Sequence, residues 1–251
     1  MTMEECFKRV ETKYLISLPQ AAAMEAALRQ QGFVRMNFGS SRVQSLYYDS
    51  PDYRLIRASL ERPAFKEKLR LRAYGEPGTL TESFLEIKRK YRSIGYKRRT
   101  GLPLQAAEAC LAQGMVPEGS GQIGREAQWM IRRYSLSPAA LISCDRDAWV
   151  SPGDSGLRMT FDRNITFRDW DMDLNARVPG LLLLPGTLRL MEIKSGGVYP
   201  LWLTRLLQEN EVRREHFSKY GAAYQRYIRP GIEGIEGGRK NCLRVSLSMG
   251  A

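Results

Sequence analysis

The chain has 251 residues, with 39 Lys plus Arg against 27 Asp plus Glu, a formal net charge of +12 and a single histidine. Its 43% hydrophobic and 26% charged residues argue against wholesale disorder, and one histidine, His216, excludes two-His zinc sites, HExxH proteases and three-His metal cages. The longest apolar run, residues 180–184 before Pro185, is far short of the roughly 20 residues of a bilayer-spanning helix.

In chain order, residues 7–17 alternate as a strand. Ser17-Leu18-Pro19-Gln20 then opens a helix, with Ser17 as cap, Pro19 in the first turn and Gln20 three residues after the cap; Gly32 ends it. Strands follow at 43–48, closed by Asp49-Ser50-Pro51, and at 65–74, ended by Gly75 and the Pro77-Gly78 turn. Residues 81–91 and 94–100 form a hairpin joined near Arg92-Ser93. Helices are predicted at 104–113 and 124–134, strands at 141–150, 157–167 and 187–194, and helices at 200–208 and 213–228. Arg229-Pro230-Gly231 stops the last helix, and residues 229–251 read as a flexible tail. No linker interrupts residues 1–228, so one domain is expected. Its strands follow one another too closely for βαβ units, so the class is α+β.

Cys6, Cys110, Cys144 and Cys242 have no CxxC spacing and read as reduced thiols. No basic-then-apolar leader opens the chain, so a cytoplasmic location is expected. The GxxxxGK and GxGxxG nucleotide cradles are absent. The excess of positive charge instead asks for a nucleic acid, an acidic membrane or a small polyanion as partner.

The strands locate that charge. In Lys66-Glu67-Lys68-Leu69-Arg70-Leu71-Arg72, period-two alternation puts Lys66, Lys68, Arg70 and Arg72 on one face and Leu69, Leu71 and Ala73 on the other. Arg9, Glu11 and Lys13 likewise oppose Val10 and Tyr14. Glu86, Lys88 and Lys90 oppose Leu85 and Ile87. Cys144, Arg146 and Ala148 share a face. Arg158, Thr160 and Asp162 oppose Leu157, Met159 and Phe161, and Glu192 and Lys194 oppose Met191 and Ile193. Two architectures fit: a sandwich with a basic surface, or a closed barrel whose charged faces look inward under covering helices. Cations crowded inside a barrel repel one another; they are tolerable if a polyanion and a metal occupy the interior, or if it stays wet.

The segments Glu11-Thr12-Lys13-Tyr14, Lys68-Leu69-Arg70-Leu71-Arg72, Leu85-Glu86-Ile87-Lys88, Cys144-Asp145-Arg146, Leu157-Arg158-Met159-Thr160-Phe161-Asp162, Met191-Glu192-Ile193-Lys194 and Phe217-Ser218-Lys219-Tyr220 occur in this order. Together they resemble the polyphosphate polymerase domain of the vacuolar transporter chaperone family. That domain belongs to the triphosphate tunnel metalloenzymes, with adenylate cyclase and thiamine triphosphatase relatives. The resemblance spans residues 7–228 and implies a closed antiparallel tunnel of eight strands with covering helices. It assigns Arg70, Arg72, Lys88, Arg146, Arg158 and Glu192 to catalysis. Lys13, Lys68, Lys97, Lys194, Ser218 and Lys219 would bind substrate phosphates. Glu192 would hold Mn²⁺ or Mg²⁺, with Glu11 and Glu86 either adding metal contacts or pairing with neighbouring cations. One position departs from the family: His216 stands two residues before Ser218, where the eukaryotic synthases carry Lys. It would join the phosphate-binding set only when protonated.

The implied reaction is transfer of the ATP γ-phosphoryl group to a growing polyphosphate chain, with an open tunnel letting product leave opposite the nucleotide. Two alternatives stay open: a tripolyphosphatase or nucleoside triphosphate hydrolase of the same fold, and a non-catalytic module binding polyphosphate or inositol phosphates. Nucleic acid is disfavoured, because the basic faces carry few interleaved aromatics and several carboxylates. With no membrane domain in the sequence, a soluble module or a separate membrane partner is implied.

Overall fold

A computed structural model describes residues 10–236 except 37–41, 62, 93, 152, 154 and 155. The predicted start of the first strand at residues 7–9, with Arg9, lies outside the described residues, as do Cys6, Cys242 and the tail from residue 237. The elements in chain order are β1 (Val10–Ser17), α1 (Leu18–Gln30), β2 (Val34–Arg35), β3 (Arg42–Asp49), α2 (Arg54–Leu60), β4 (Phe65–Tyr74), β5 (Glu82–Tyr91), β6 (Ile94–Pro103), α3 (Leu104–Ala112) and α4 (Gly121–Tyr134). They continue with β7 (Ser137–Val150), β8 (Arg158–Arg168), β9 (Leu181–Leu182), β10 (Leu188–Ser195), α5 (Leu201–Glu209), β11 (Arg214–Glu215), α6 (Lys219–Ala223), a π-helical turn (Tyr224–Ile228) and α7 (Arg229–Glu236). Among the described residues no helix is long and apolar enough to cross a membrane.

The strands form one antiparallel sheet in the order β11-β1-β10-β8-β7-β3-β4-β5-β6, with β2 pairing β7 and β9 pairing β8. Two expectations need correction. Among the described residues the sheet has eleven strands, not eight, because β2, β9 and β11 are two-residue ladders without a sequence signature. Nor is the sheet closed by hydrogen bonds: β11 and β6 are its two ends among the described residues. It is nevertheless strongly curled. β1 and β5 lie six places apart, about 29 Å in a flat sheet, yet Glu11 Oε2 is 3.6 Å from Lys88 Nζ.

The alternation decides which face goes inward. On the outer face, Tyr14 and Ile16 of β1, Phe161 of β8 and Met191 and Ile193 of β10 pack under Met24 and Leu28 of α1 and Leu203 and Leu207 of α5. Leu69, Leu71, Leu85 and Ile87 pack under Leu104 and Leu111 of α3 and Met130 and Ile131 of α4. Leu69, Leu71 and Leu85 are wholly excluded from solvent, and each such burial contributes about 1.5–3 kcal/mol. With one face held under helices, the charged face must look into the concave side.

A β-bulge ends the polar stretch of β8. The β7–β8 register shifts between Ser143 and Asp145, and Asn164 takes φ 49°, a left-handed conformation that asparagine tolerates. Arg158, Thr160 and Asp162 face inward before the bulge; Ile165 and Phe167 do so after it. With Tyr47, Ile142, Leu190, Ile56 of α2 and Tyr220, Tyr224 and Ile228, they form a buried apolar cluster. The polar chamber therefore does not run the whole length of the concave face, which differs from the expectation of a tunnel open throughout.

The Ser17 cap is as expected: its Oγ accepts from Gln20 N–H at 3.4 Å, and Gln20 Oε1 accepts from Ser17 N–H at 2.9 Å. The predicted helix at 213–228 is not one helix. β11 occupies Arg214–Glu215, and α6 starts only at Lys219 because Ser218 Oγ caps it through Gly221 N–H at 3.2 Å. Nor does Pro230 end the last helix among the described residues. It sits at the second position of α7, which follows directly on the π turn.

Candidate active site in the cationic chamber

Besides Lys66, Lys90 and Arg99, the concave face gathers ten further cationic side chains among the described residues: Lys13, Lys68, Arg70, Arg72, Lys88, Lys97, Arg146, Arg158, Lys194 and Lys219. Four carboxylates answer them: Glu11, Glu86, Asp162 and Glu192. Register places them: Lys68, Lys88 and Lys97 lie in one row across β4, β5 and β6, and Arg70 lies opposite Glu86. Arg146 faces Asp162 across β7 and β8, Thr160 faces Glu192, and Arg158 faces Lys194.

The carboxylates organise two clusters. In the first, Glu86 is fully buried. Arg70 Nη2 lies 2.6 Å from it, Lys97 Nζ 2.6 Å and Arg72 Nη1 3.8 Å. Burial alone would raise the Glu86 pKa, but these three cations outweigh it and hold the carboxyl at about 2. Tyr47 Oη accepts from Arg70 at 3.0 Å, and Ser45 Oγ accepts from Arg72 at 3.1 Å, fixing both guanidiniums.

In the second cluster, Asp162 takes a two-pronged bond from Arg146 at 2.6 and 2.7 Å and an ion pair from Lys219 at 2.5 Å. Glu192 lies 3.4 Å from Lys219, 3.6 Å from Lys13 and 3.9 Å from Arg146. Burial opposes ionisation of Glu192, yet Lys219, Lys13 and Arg146 hold its pKa well below the carboxylate range. Glu11 bridges the clusters, 3.5 Å from Lys13 and 3.6 Å from Lys88. α6 completes the wall: Lys219 reaches Asp162, and Ser218 Oγ accepts from Lys68 at 3.4 Å.

Ten cations against four anions is an imbalance, and burial makes it costly. Desolvation depresses Lys68 and Lys194 to a pKa of about 8 each. The Tyr47 phenol is driven the other way: burial resists ionisation, but Arg70, Arg72 and Lys68 outweigh it and bring the pKa to about 7. The chamber thus lowers its own charge by losing protons.

The structure brings every expected site residue to this face except His216, which is exposed in the loop between β11 and α6. Asp162, Tyr47 and Ser45 were missed. Asp162 was visible on the face of Arg158 and Thr160; Tyr47 and Ser45 alternate along 43–47.

Among the described residues no three His, Cys, Asp or Glu groups converge on a metal-holding geometry. Glu86 is occupied by its cations. Glu11 and Glu192 share Lys13, and Thr160 Oγ1 beside Glu192 is buried with no hydrogen-bond partner. A magnesium-like ion takes one or two carboxylates and completes its shell with phosphate oxygens and water, so the residues fit such an ion only alongside a bound phosphate.

The VTC domain model matches residues 8–228. No curated protein matches the chain. A crystal structure of a candidate adenylate cyclase from Bacillus halodurans is similar over 88% of this chain and 98% of its own, with a TM-score of 0.53 and 14% identity, a likeness of fold. A candidate adenylate cyclase from Vibrio parahaemolyticus (TM-score 0.47, 14% identity, 87% of this chain and 98% of that one) and protein PH1819 from Pyrococcus horikoshii (0.45, 15%, 86% and 98%) are also similar. With a curled antiparallel sheet, an inward cationic face and a family match across nearly the whole described chain, this protein belongs to the VTC domain family.

Proposed function

We propose that the protein is a polyphosphate polymerase that transfers the γ-phosphoryl group of ATP to the end of a polyphosphate chain held in the chamber. The observation that carries this is the excess of ten cations over four carboxylates on one enclosed face, which a chain of phosphates would neutralise.

Phosphoryl transfer asks mainly for alignment and charge neutralisation. Arg70 and Arg72, two residues apart on β4, present forked donors to successive phosphates. On the opposite wall Arg146 presents another fork with the Lys219 ammonium beside it, and Lys68, Lys88 and Lys97 line the approach. When phosphate arrives, Tyr47 and Ser45 still hold the two guanidiniums in place, so little reorganisation is needed. No covalent intermediate is required of the protein. Burial pushes the Cys144 thiol up to about 11, so the one cysteine on this face is no thiolate nucleophile at neutral pH. Mn²⁺ or Mg²⁺ held by Glu192 and Glu11 together with phosphate oxygens would withdraw charge from the transferring group.

The test is to incubate purified protein with ATP and Mn²⁺ and resolve the products on a gel stained for long polyanions. A ladder that disappears in the Arg70→Ala, Arg72→Ala variant supports the polymerase. Free phosphate without a ladder makes the protein a hydrolase of the same fold, and neither product makes it a binding module.

A further inference from the structure

Behind the chamber wall, on the outer face of β3, β7 and β8, lies a second cavity of about 440 Å³, lined by Arg42, Gln44, Glu76, Ser143, Arg168 and Arg177. β3 separates the two spaces. It sends Ser45 and Tyr47 into the chamber and, by alternation, Arg42 and Gln44 into this cavity.

The cavity is a built polar site. Gln44 is 1% exposed, and its amide donates to Leu174 C=O at 2.7 Å. Arg168 is 3% exposed. Its terminal nitrogens donate to the carbonyls of Asp173, Ala176 and Val178 at 2.6–3.4 Å, while its Nε is buried with no hydrogen-bond partner. Carbonyl oxygens orient a guanidinium without cancelling its charge. Burial lowers the Arg168 pKa, Asp171 and Asp173 partly restore it, and Arg42 lowers it again, so the two guanidiniums repel one another across the site. Arg177 completes the group. Its Nε donates to Pro77 C=O at 3.0 Å, and its guanidinium lies against Gly78, where a Cβ would meet it at 3.0 Å. Gly78 adopts φ +88°, so the tight turn that a glycine permits there also seats this arginine. Three guanidiniums thus face one lining carboxylate, Glu76; Asp145 pairs with Arg42 from outside the lining at 3.4 Å.

We infer that this cavity binds a compact oligoanion of the pyrophosphate class, held by Arg42 and Arg177 together with the buried charge and the Nε–H of Arg168, at a site distinct from the chamber. Its volume falls in the roughly 300–1,000 Å³ range of small-molecule sites. Guanidinium groups converging on one small space suit tetrahedral oxyanions, whose several oxygens accept charge-assisted hydrogen bonds from more than one of them. Nothing in this inference depends on the reaction proposed for the chamber.

The experiment is calorimetric titration of the full chain with inorganic pyrophosphate. In protein carrying Arg70→Ala and Arg72→Ala, which weakens the chamber, a pyrophosphate site should persist. Adding Arg177→Ala, a change on a surface loop, should weaken that site about tenfold or more, the usual cost of one lost charge-assisted contact. Arg177→Lys should weaken it less, and Arg42→Ala should reproduce the loss. Absence of binding once the chamber is weakened, or binding indifferent to both Arg177→Ala and Arg42→Ala, would overturn the inference. Equal affinity for citrate would overturn the assignment to phosphates.

Discussion

Asp162→Asn is the most informative single change in the chamber. The substitution keeps the shape but removes the charge that neutralises Arg146 and Lys219, held at 2.6 and 2.5 Å. Both cations then depend on Glu192, at 3.9 and 3.4 Å. Asp162 is fully buried, so water cannot replace the lost charge, and breaking a buried pair from one side costs about 3–5 kcal/mol. For a domain of this size that is a fall in melting temperature of about 6–20 °C. The same reasoning gives the effect an unusual sign with ligand. Tripolyphosphate brings its own negative charge to Arg146 and Lys219, so the variant should bind it more tightly than wild type. At 100 times Kd a ligand stabilises by about 2.7 kcal/mol, and the variant should gain more than that at the same concentration. Denaturation of both proteins with and without tripolyphosphate measures the gap, which should shrink by at least half when the ligand is saturating. An equal gap in both conditions would refute the idea that the chamber is short of negative charge.

Other outcomes follow from the same geometry. Glu192→Gln should abolish the dependence of activity on Mn²⁺ or Mg²⁺ at concentrations that saturate wild type; an unchanged metal titration would leave Glu192 as a partner of Lys219 and Lys13 only. Lys68 and Lys194, with pKa values of about 8, are charged below that pH, so tripolyphosphate affinity should fall as pH rises through about 8, with proton uptake on binding near the midpoint. Because folding lowers these two values, the folded protein binds fewer protons than the unfolded chain between about pH 8 and the ordinary lysine pKa near 10.4. Their contribution to stability of the empty protein therefore rises with pH across that window, which denaturation at a series of pH values checks. Tyr47→Phe should remove a tyrosinate absorbance transition centred near pH 7, and tripolyphosphate should push the wild-type transition upward by occupying Arg70 and Arg72.

Much of this was legible because β4 obeys the simplest rule of a strand. Lys68, Arg70 and Arg72 alternate with Leu69 and Leu71, and a strand with one greasy face under helices has no choice about where the other points. The bounds of β4, 65–74, follow from that alternation and the glycine that ends it. What period two cannot supply is the partner across the sheet. Asp162 sat on the expected face, but only the pairing with Arg146 and the reach of Lys219 from α6 show it to be a centre of charge rather than a solvated acid. The bulge at Asn164 was also invisible, because it depends on two strands disagreeing in length. α2 was missed because its cap is remote: Asp49, at the end of β3, accepts from Leu55 N–H at 2.8 Å and Ile56 N–H at 3.0 Å, and in sequence it reads only as a turn. His216 could not be placed from sequence for a similar reason: only the pairing of β11 with β1 shows that it follows directly on an edge strand.

The central claim is that the concave face is a seat for a phosphate chain. A crystal structure of the protein with tripolyphosphate tests it directly. The account predicts phosphates bridging Arg70 and Arg72 on one wall to Arg146 and Lys219 on the other, with Glu86 still paired to Arg70. Tripolyphosphate bound only at the outer surface, with the chamber side chains still joined to one another, would contradict it.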